Sequence, residues 1–280
     1  MPKTCDVPVE LRDFNKIFER ISYRHDSGTA FDDFLTIMMN FFNMNCQPLE
    51  LKRYERRDID AFNELLHEFL HVRKVASETR DWSDELGTFY EVLAGGCKRS
   101  SFGQFFTPVH LCTLSAKMTA NSSCSGNFVN DPACGSGRML VAFHIQSKGN
   151  YLFGEDLDPM CCKMAALNLM FHGCVGEVIN INSISRDSYR GGWRINPILY
   201  SSGIPCIQTI TANESFSWCG FVSHQFKRRN TSEQGRSETG NTDRSSGDGS
   251  GIYAYKGRAE RDEITVSKSG AQRHQCLMQY

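Results

Sequence analysis

The sequence predicts an α/β fold: the first half of a doubly wound parallel sheet, set behind a helical N-terminal subdomain. Three observations predict it. From Asn130 to Ile181 the chain alternates β-α-β-α-β. A turn with two glycines, Cys134-Gly135-Ser136-Gly137, joins the first strand to its helix. Before these, residues 10 to 96 carry apolar groups at helical spacing.

The helical stripes come first. Phe31, Phe34, Leu35, Met38, Phe41 and Phe42 keep i, i+3, i+4 intervals, as do Phe62, Leu65, Leu66, Phe69 and Leu70. Leu86, Phe89, Tyr90 and Leu93 repeat the pattern before Gly95-Gly96. These are packing faces. Next, Thr107-Pro108 reads as an N-cap and first-position pair opening a helix with Leu111, Leu114 and Met118. Phe128-Val129-Asn130 is the first strand, leading into Asp131-Pro132-Ala133-Cys134-Gly135-Ser136-Gly137, and an apolar helix from Met139 to Ile145 follows. Two glycines there let the backbone approach a ligand and leave helix N-terminal N–H groups facing it.

Tyr151 to Pro159 is a second strand ending in acids, and Asp156 follows Asp131 at the interval of a ribose-binding carboxylate. Asp158-Pro159 opens a helix that Gly173 stops. Val178 to Ser183 is a third strand; Ile204–Ile210 and Ser215–Val222 are read as short further strands, with Trp218 and Phe221 in the core. Arg190-Gly191-Gly192-Trp193-Arg194 makes a poor buried strand, having two glycines and two charges.

Four ordered segments resemble the N6-adenine DNA methyltransferases, most closely the modification (M) subunits of type I restriction–modification systems. They are Phe102 to Pro108, Asp131 to Gly137, Gly154 to Pro159, and Asn168-Leu169-Met170-Phe171-His172-Gly173. They lie within residues 100 to 185, roughly a third of the chain. The resemblance implies a Rossmann-like S-adenosylmethionine-dependent methyltransferase core, apparently shortened, with S-adenosyl-L-methionine as cofactor. By that likeness Phe106, Thr107 and Pro108 line the methionine end. Asp131 and the backbone of Cys134, Gly135 and Gly137 hold the amino-acid part, Asp156 the ribose, and Asn182-Ser183 stands near the adenine. DNA is the implied partner, with a specificity subunit or a second methyltransferase subunit beside it.

The family's catalytic element is Asn/Asp-Pro-Pro-Tyr/Phe. Its carboxamide and prolyl carbonyl accept hydrogen bonds from the exocyclic amine of adenine, and its aromatic stacks on the flipped base. The nearest segment here is Asn196-Pro197-Ile198-Leu199-Tyr200, which lacks the second proline. Asn196 and Pro197 are the catalytic candidates, against the plainer reading of an Asn-Pro loop turn. The implied function is adenine-N6 methyl transfer to DNA in a restriction–modification-like system. The alternative is a cofactor-binding subunit without catalysis, or a DNA-associated partner of a mobile element; RNA or protein methylation would use the same fold.

Composition bounds the rest. The 280 residues are 40% hydrophobic, enough for a sizeable core, and the net charge of −1 gives no global basic field. Basic clusters at Lys52, Arg53, Arg56, Arg57 and at Lys227, Arg228, Arg229 read as solvated faces. Twelve cysteines include no C-x-x-C pair, so no metal is expected. With no signal-like segment, they read as reduced thiols in a cytoplasmic protein. Charged residues or glycines interrupt every apolar run, so no membrane span is expected. From Asn230 to Gly251 there is no aliphatic or aromatic residue, which predicts disorder. The organisation read from sequence is therefore 1–98 helical, 99–225 methyltransferase-like α/β, and 226–280 a disordered tail.

Overall fold

A computed structural model describes residues 7–96, 106–120 and 125–220. The segment 102–105, the 227–229 basic cluster, the end of the expected 215–222 strand and the tail 226–280 lie outside the described residues.

Four helices build the N-terminal layer: α1 (Arg12–Ser22), α2 (Ser27–Phe41), α3 (Arg56–Thr79) and α4 (Glu85–Gly96). Local chemistry sets their starts. The Asp26 side chain accepts from Thr29 N at 2.8 Å, and Glu55 with Asp58 forms a reciprocal capping box at α3. The predicted stripes meet in the middle. Phe89 stands edge-on to Phe14 and Phe18, with ring centroids 4.7 and 5.2 Å apart, and Phe31, Phe34, Leu65 and Phe69 are buried around them.

Helix α5 (Val109–Thr119) precedes the sheet, and the alternation is β1 (Phe128–Asp131), α6 (Arg138–Gln146), β2 (Tyr151–Asp156), α7 (Pro159–Phe171), β3 (Val175–Ile181). β1, β2 and β3 run parallel in that order, and among the described residues β1 pairs on one side only. This is the α/β half-sheet the sequence predicts, winding one way from β1. Beyond β3 lie β4 (Tyr189–Ile195), the one-turn helix α8 (Leu199–Ser202) and β5 (Ile207–Thr209), with both strands antiparallel to their neighbours.

Helix α7 is hydrophobic all round, and Cys161, Cys162, Met164 to Met170 are buried. It needs cover on two sides. The sheet supplies one, and the N-terminal layer the other: Phe171 meets Phe42 and Phe69 at 5.1 and 5.6 Å, and Lys163 pairs with Asp32 at 2.7 Å. One continuous core therefore runs from Val7 through α7 to Ile207. Residues 42–44 close the far sheet edge, since Ile207 N donates to Phe42 O at 3.0 Å and Met44 N to Ile207 O at 2.8 Å.

The opposite sheet face carries Tyr151, Phe153, Glu155 and Glu177. The last two are fully buried, and a strap over residues 211–220 covers them. Ser215 Oγ and Phe216 N donate to Glu177 at 3.0 and 2.9 Å, and Ser217 Oγ donates to Glu155 at 2.8 Å.

Four expectations are corrected. Residues 190–194 do form a strand: a Cβ at Gly192 would stand 2.6 Å from Tyr189 Oη and 2.7 Å from Ile179, so close packing needs the glycine, and Arg194 is paired with Glu177 at 3.2 Å. Residues 216–220 are helical rather than extended, and Trp218 is only partly buried, because the buried carboxylate of Glu177 caps that turn. Helix α5 starts after Pro108 rather than at it, since Pro108 is extended (ψ 141°). Its Leu111, Leu114 and Met118 are 43%, 54% and 77% exposed, while Cys112 and Ala116 face α6. Small residues let the two helices approach, so that face won over the larger apolar one. Among the described residues no helix is long and apolar enough to cross a membrane.

His172 joins the layers. Its Nδ1 lies 2.7 Å from Asn168 O, and Nε2 accepts from Ser83 N at 3.3 Å. Burial first, then the charge of Arg73, lowers its pKa from 6.5 to about 4. The folded form thus binds its proton only below the unfolded value. Stability contributed by the neutral ring is lost as pH falls from about 6.5 to about 4. His172→Gln should flatten that limb of the melting temperature–pH curve, and an unchanged slope would remove His172 as its cause.

Candidate functional site

The C-terminal ends of β1, β2 and β3 converge on one edge of the sheet, where open α/β folds bind ligands. β1 ends at Asp131, and the turn after it reaches α6 through Gly135 (φ 54°) and Gly137 (φ 83°). Both conformations favour glycine, and space demands it too. A Cβ at Gly137 would stand 3.1 Å from Ala165 of α7, and one at Gly135 would stand 2.9 Å from the Phe106 ring. The loop is pressed between α7 below and an aromatic wall above.

That wall is a column of side chains. Phe106 packs against Tyr90 of α4 at 5.6 Å, Tyr90 against Phe31 at 6.2 Å, and the Arg138 guanidinium lies 5.1 Å from the Phe106 centroid. Arg138 Nη1 donates to Thr107 O at 3.1 Å, fixing the segment Phe106-Thr107-Pro108 beside the loop. Tyr90 has its hydroxyl pKa pushed up to about 12 by burial and by the nearby Asp158, Cys161 and Asp156.

Asp156 ends β2 and touches the loop directly: its carboxylate accepts from Gly135 N at 2.9 Å and from Asp158 N at 2.9 Å. Asn180 on β3 steadies this corner by donating to Asp156 O and Leu157 O, both at 2.9 Å. Asn182 lies just past β3 at the same sheet edge, its Oδ1 accepting from Ile184 N and Ser185 N at 3.0 and 3.2 Å. Asp131 accepts from Ala133 N at 3.2 Å, and burial, with Asp156 and Glu155 nearby, raises its pKa. Cys134 is buried, which holds its thiol well above the usual range and makes it a small packing residue rather than a nucleophile.

Phe106, Thr107, Pro108, Asp131, Cys134, Gly135, Gly137, Asp156 and Asn182 are therefore gathered around one edge. Asn196 and Pro197 are not. β4 runs antiparallel to β3 and pairs Ile195 with Gly176, so Asn196 follows at the opposite end of the sheet. Its carboxamide is fully used there: Nδ2 donates to Met170 O at 3.0 Å and Cys174 O at 2.8 Å, and Oδ1 accepts from Cys206 N at 3.0 Å. With φ at 53°, it is a structural turn residue. Pro197 follows in the same remote turn.

Sequence reasoning passed over Tyr90, Arg138, Asn180 and Asp84. An Asn one residue before the end of a buried strand was the visible signal for Asn180. Asp84-x-x-Gly87 before an apolar helix was the signal for Asp84.

A sequence profile described as N-6 DNA Methylase matches residues 81–245, more than half of the chain. The chain belongs to the N-6 DNA methylase family. Among curated relatives, the MjaVII methylase subunit of a type I restriction enzyme from Methanocaldococcus jannaschii is 34% identical over 105 residues, covering 35% of this chain and 18% of that protein. The restriction enzyme and methyltransferase RM.BcgI from Heyndrickxia coagulans is 28% identical over 193 residues, 61% of this chain and 28% of its own length. The N-6 DNA methylase chain thus spans about a fifth to a little over a quarter of the curated relatives it matches. Two solved structures are more distant. A Listeria monocytogenes protein titled a class I S-adenosylmethionine-dependent methyltransferase superposes with TM-score 0.40 at 11% identity, over 62% of this chain and 54% of that one. A type I restriction–modification methyltransferase subunit from Streptococcus thermophilus gives 0.34 at 19%, over 62% and 40%.

Asn196→Ala should lose about 2 kcal/mol or more of stability by orphaning buried backbone groups. It should leave ligand affinity at the glycine loop unchanged in calorimetry; a matching loss of affinity would bring Asn196 back to the site.

Proposed function

We propose that this N-6 DNA methylase binds S-adenosylmethionine at the glycine loop and serves adenine-N6 methylation of DNA in a restriction–modification-type system. One observation carries the reading: the Asp156 carboxylate sits in hydrogen-bond contact with Gly135 N, under the Phe106 ring. A ribose acid and an amino-acid-binding loop thereby adjoin. That donor and acceptor set fits a ligand with a vicinal diol at one end and a charged amino acid at the other. When bound, S-adenosylmethionine supplies an electrophilic methyl group on a sulfonium.

The chain's own residues have defined parts in this reading. Asp156 accepts from the ribose hydroxyls, exchanging its present bond to the loop for bonds to the ligand. Asp131 and the loop backbone take the amino-acid end. Phe106, held by Tyr90 and Arg138, excludes water from the loop and sets the depth of the pocket. Asn182 stands on the adenine side. Transfer to a flipped adenine is direct, and buried Cys134 takes no covalent part.

The described residues bring no Asn-Pro-Pro-aromatic element to this edge. The acceptor base is accordingly held by residues outside those described or by a companion subunit, with DNA as the substrate, in the cytoplasm. Asn196, spent in the fold at the far end of the sheet, favours a second reading in which the chain binds cofactor and does not transfer.

Calorimetric titration with S-adenosylmethionine, followed by methyl transfer to unmethylated DNA in the same buffer, separates these readings. Binding with transfer supports the enzyme, and binding without transfer the cofactor-holding subunit. No binding overturns both. Asp156→Ala should weaken binding by at least about tenfold, equal to about 1.4 kcal/mol; unchanged affinity would refute the ribose assignment.

A further inference from the structure

The N-terminal helical layer reaches into the loop through one side chain. Asp84 lies at the start of α4, and its side chain is essentially buried. Oδ1 accepts from Gly87 N at 2.8 Å and from Asn168 Nδ2 of α7 at 2.7 Å. Oδ2 accepts from Ser136 Oγ of the glycine loop and from Arg138 Nε at 2.7 Å. Asn168 Nδ2 also donates to Ser136 O at 2.8 Å, so both ends of Ser136 are held. Gly87 leaves the room this needs, since a Cβ there would stand 2.2 Å from Asp84 Oδ2 and 2.6 Å from Ser136 Oγ.

We propose that Asp84 is a positioning residue of the cofactor site: it sets the glycine loop through Ser136 and the facing wall through Arg138, whose Nη1 reaches Thr107 O. The proposal rests on the cofactor reading given above and deepens it, because it makes a residue of the helical layer part of that site. Asp84 touches no ligand itself. Its effect passes through the backbone of residues 135–137, which its two partners at Ser136 fix between the turns at Gly135 and Gly137. The same carboxylate orients Arg138, and Arg138 lies over the Phe106 ring that closes the loop from above. One buried charge therefore holds both walls of a single cleft at a constant spacing.

The neighbouring pair is the internal control. Arg73 and Glu85, joined at 2.8 Å, are as buried and belong to the same layer junction. Their hydrogen bonds run to Ser83 and His172 rather than to the loop. A purely structural role for Asp84 would make its loss resemble the loss of Glu85.

The test compares D84N, S136A and E85Q in the full chain, at a temperature well below each melting transition. Titration with S-adenosylhomocysteine reads affinity, and amide hydrogen exchange of residues 134–137 in the ligand-free protein reads loop order. D84N and S136A should weaken binding by about tenfold or more and speed exchange in the loop. E85Q should lower the melting temperature while affinity and loop exchange stay at wild-type values. Should D84N not fold, S136A carries the comparison, since it removes one hydroxyl and keeps the Asp84–Arg138 pair. Loop exchange in S136A equal to that of E85Q would overturn the proposal. If the wild-type chain binds no S-adenosylhomocysteine, the cofactor reading fails, while the exchange comparison still decides whether Asp84 orders the loop.

Discussion

Burying a carboxylate in a core is costly unless donors replace the water it loses, and Asp84 has four. The consequence reaches well beyond one residue. Those donors come from α4, the glycine loop, the first turn of α6 and the last turn of α7, so four segments can be placed correctly only together. The Arg138 guanidinium shows the same balance. Burial alone would lower its pKa, and the adjacent Asp84 and Glu91 carboxylates more than offset this, leaving it raised. A charge so tied can neither leave its site nor lose a partner without a large cost. The helical layer and the α/β layer are therefore two faces of one core rather than two bodies resting on each other.

Much of this was legible in the chain because it depends on periodicity and on local turn chemistry. The Phe31, Phe62 and Leu86 stripes read as helices and became the buried face. Asp158-Pro159 and Gly173 marked both ends of α7, and Gly173 indeed takes φ 69°. Asp131, Gly135, Gly137 and Asp156 were singled out by the strand–turn–helix–strand spacing together with the family resemblance. What failed depends on long-range partners. Nothing local announces that Arg194 will meet Glu177, so residues 190–194 looked too polar for a strand. The Asn196-Pro197 pair resembled half of a catalytic element, but the antiparallel turn of β4 sends it to the wrong end of the sheet. Sequence spacing gives distance along the chain, and strand direction decides which end of the sheet that distance reaches.

The two sheet faces show how differently one chain can cover the same kind of surface. On one face the mainly apolar helix α7 meets apolar strand residues, and burial of that surface dominates the contact. On the other, two fully buried carboxylates, Glu155 and Glu177, are matched by Arg186, Arg194 and the amide and hydroxyl groups of residues 215–217. Polar matching of that kind contributes less net stability than apolar packing, yet it fixes the strap in one register, since Glu177 draws donors from three successive residues, 215 to 217.

The closure of the sheet edge by residues 42–44 has a kinetic meaning. The Phe42 carbonyl and the Met44 N–H find their backbone partners at Ile207, so a strand made late in synthesis completes a surface laid down early. Emerging from a ribosome, the first helices carry Phe31, Phe34, Phe62 and Phe69 with no α7 to cover them until more than a hundred residues have been added. Such a topology has many non-local contacts and folds slowly, with its aromatic surface open meanwhile to chaperones or to other nascent chains.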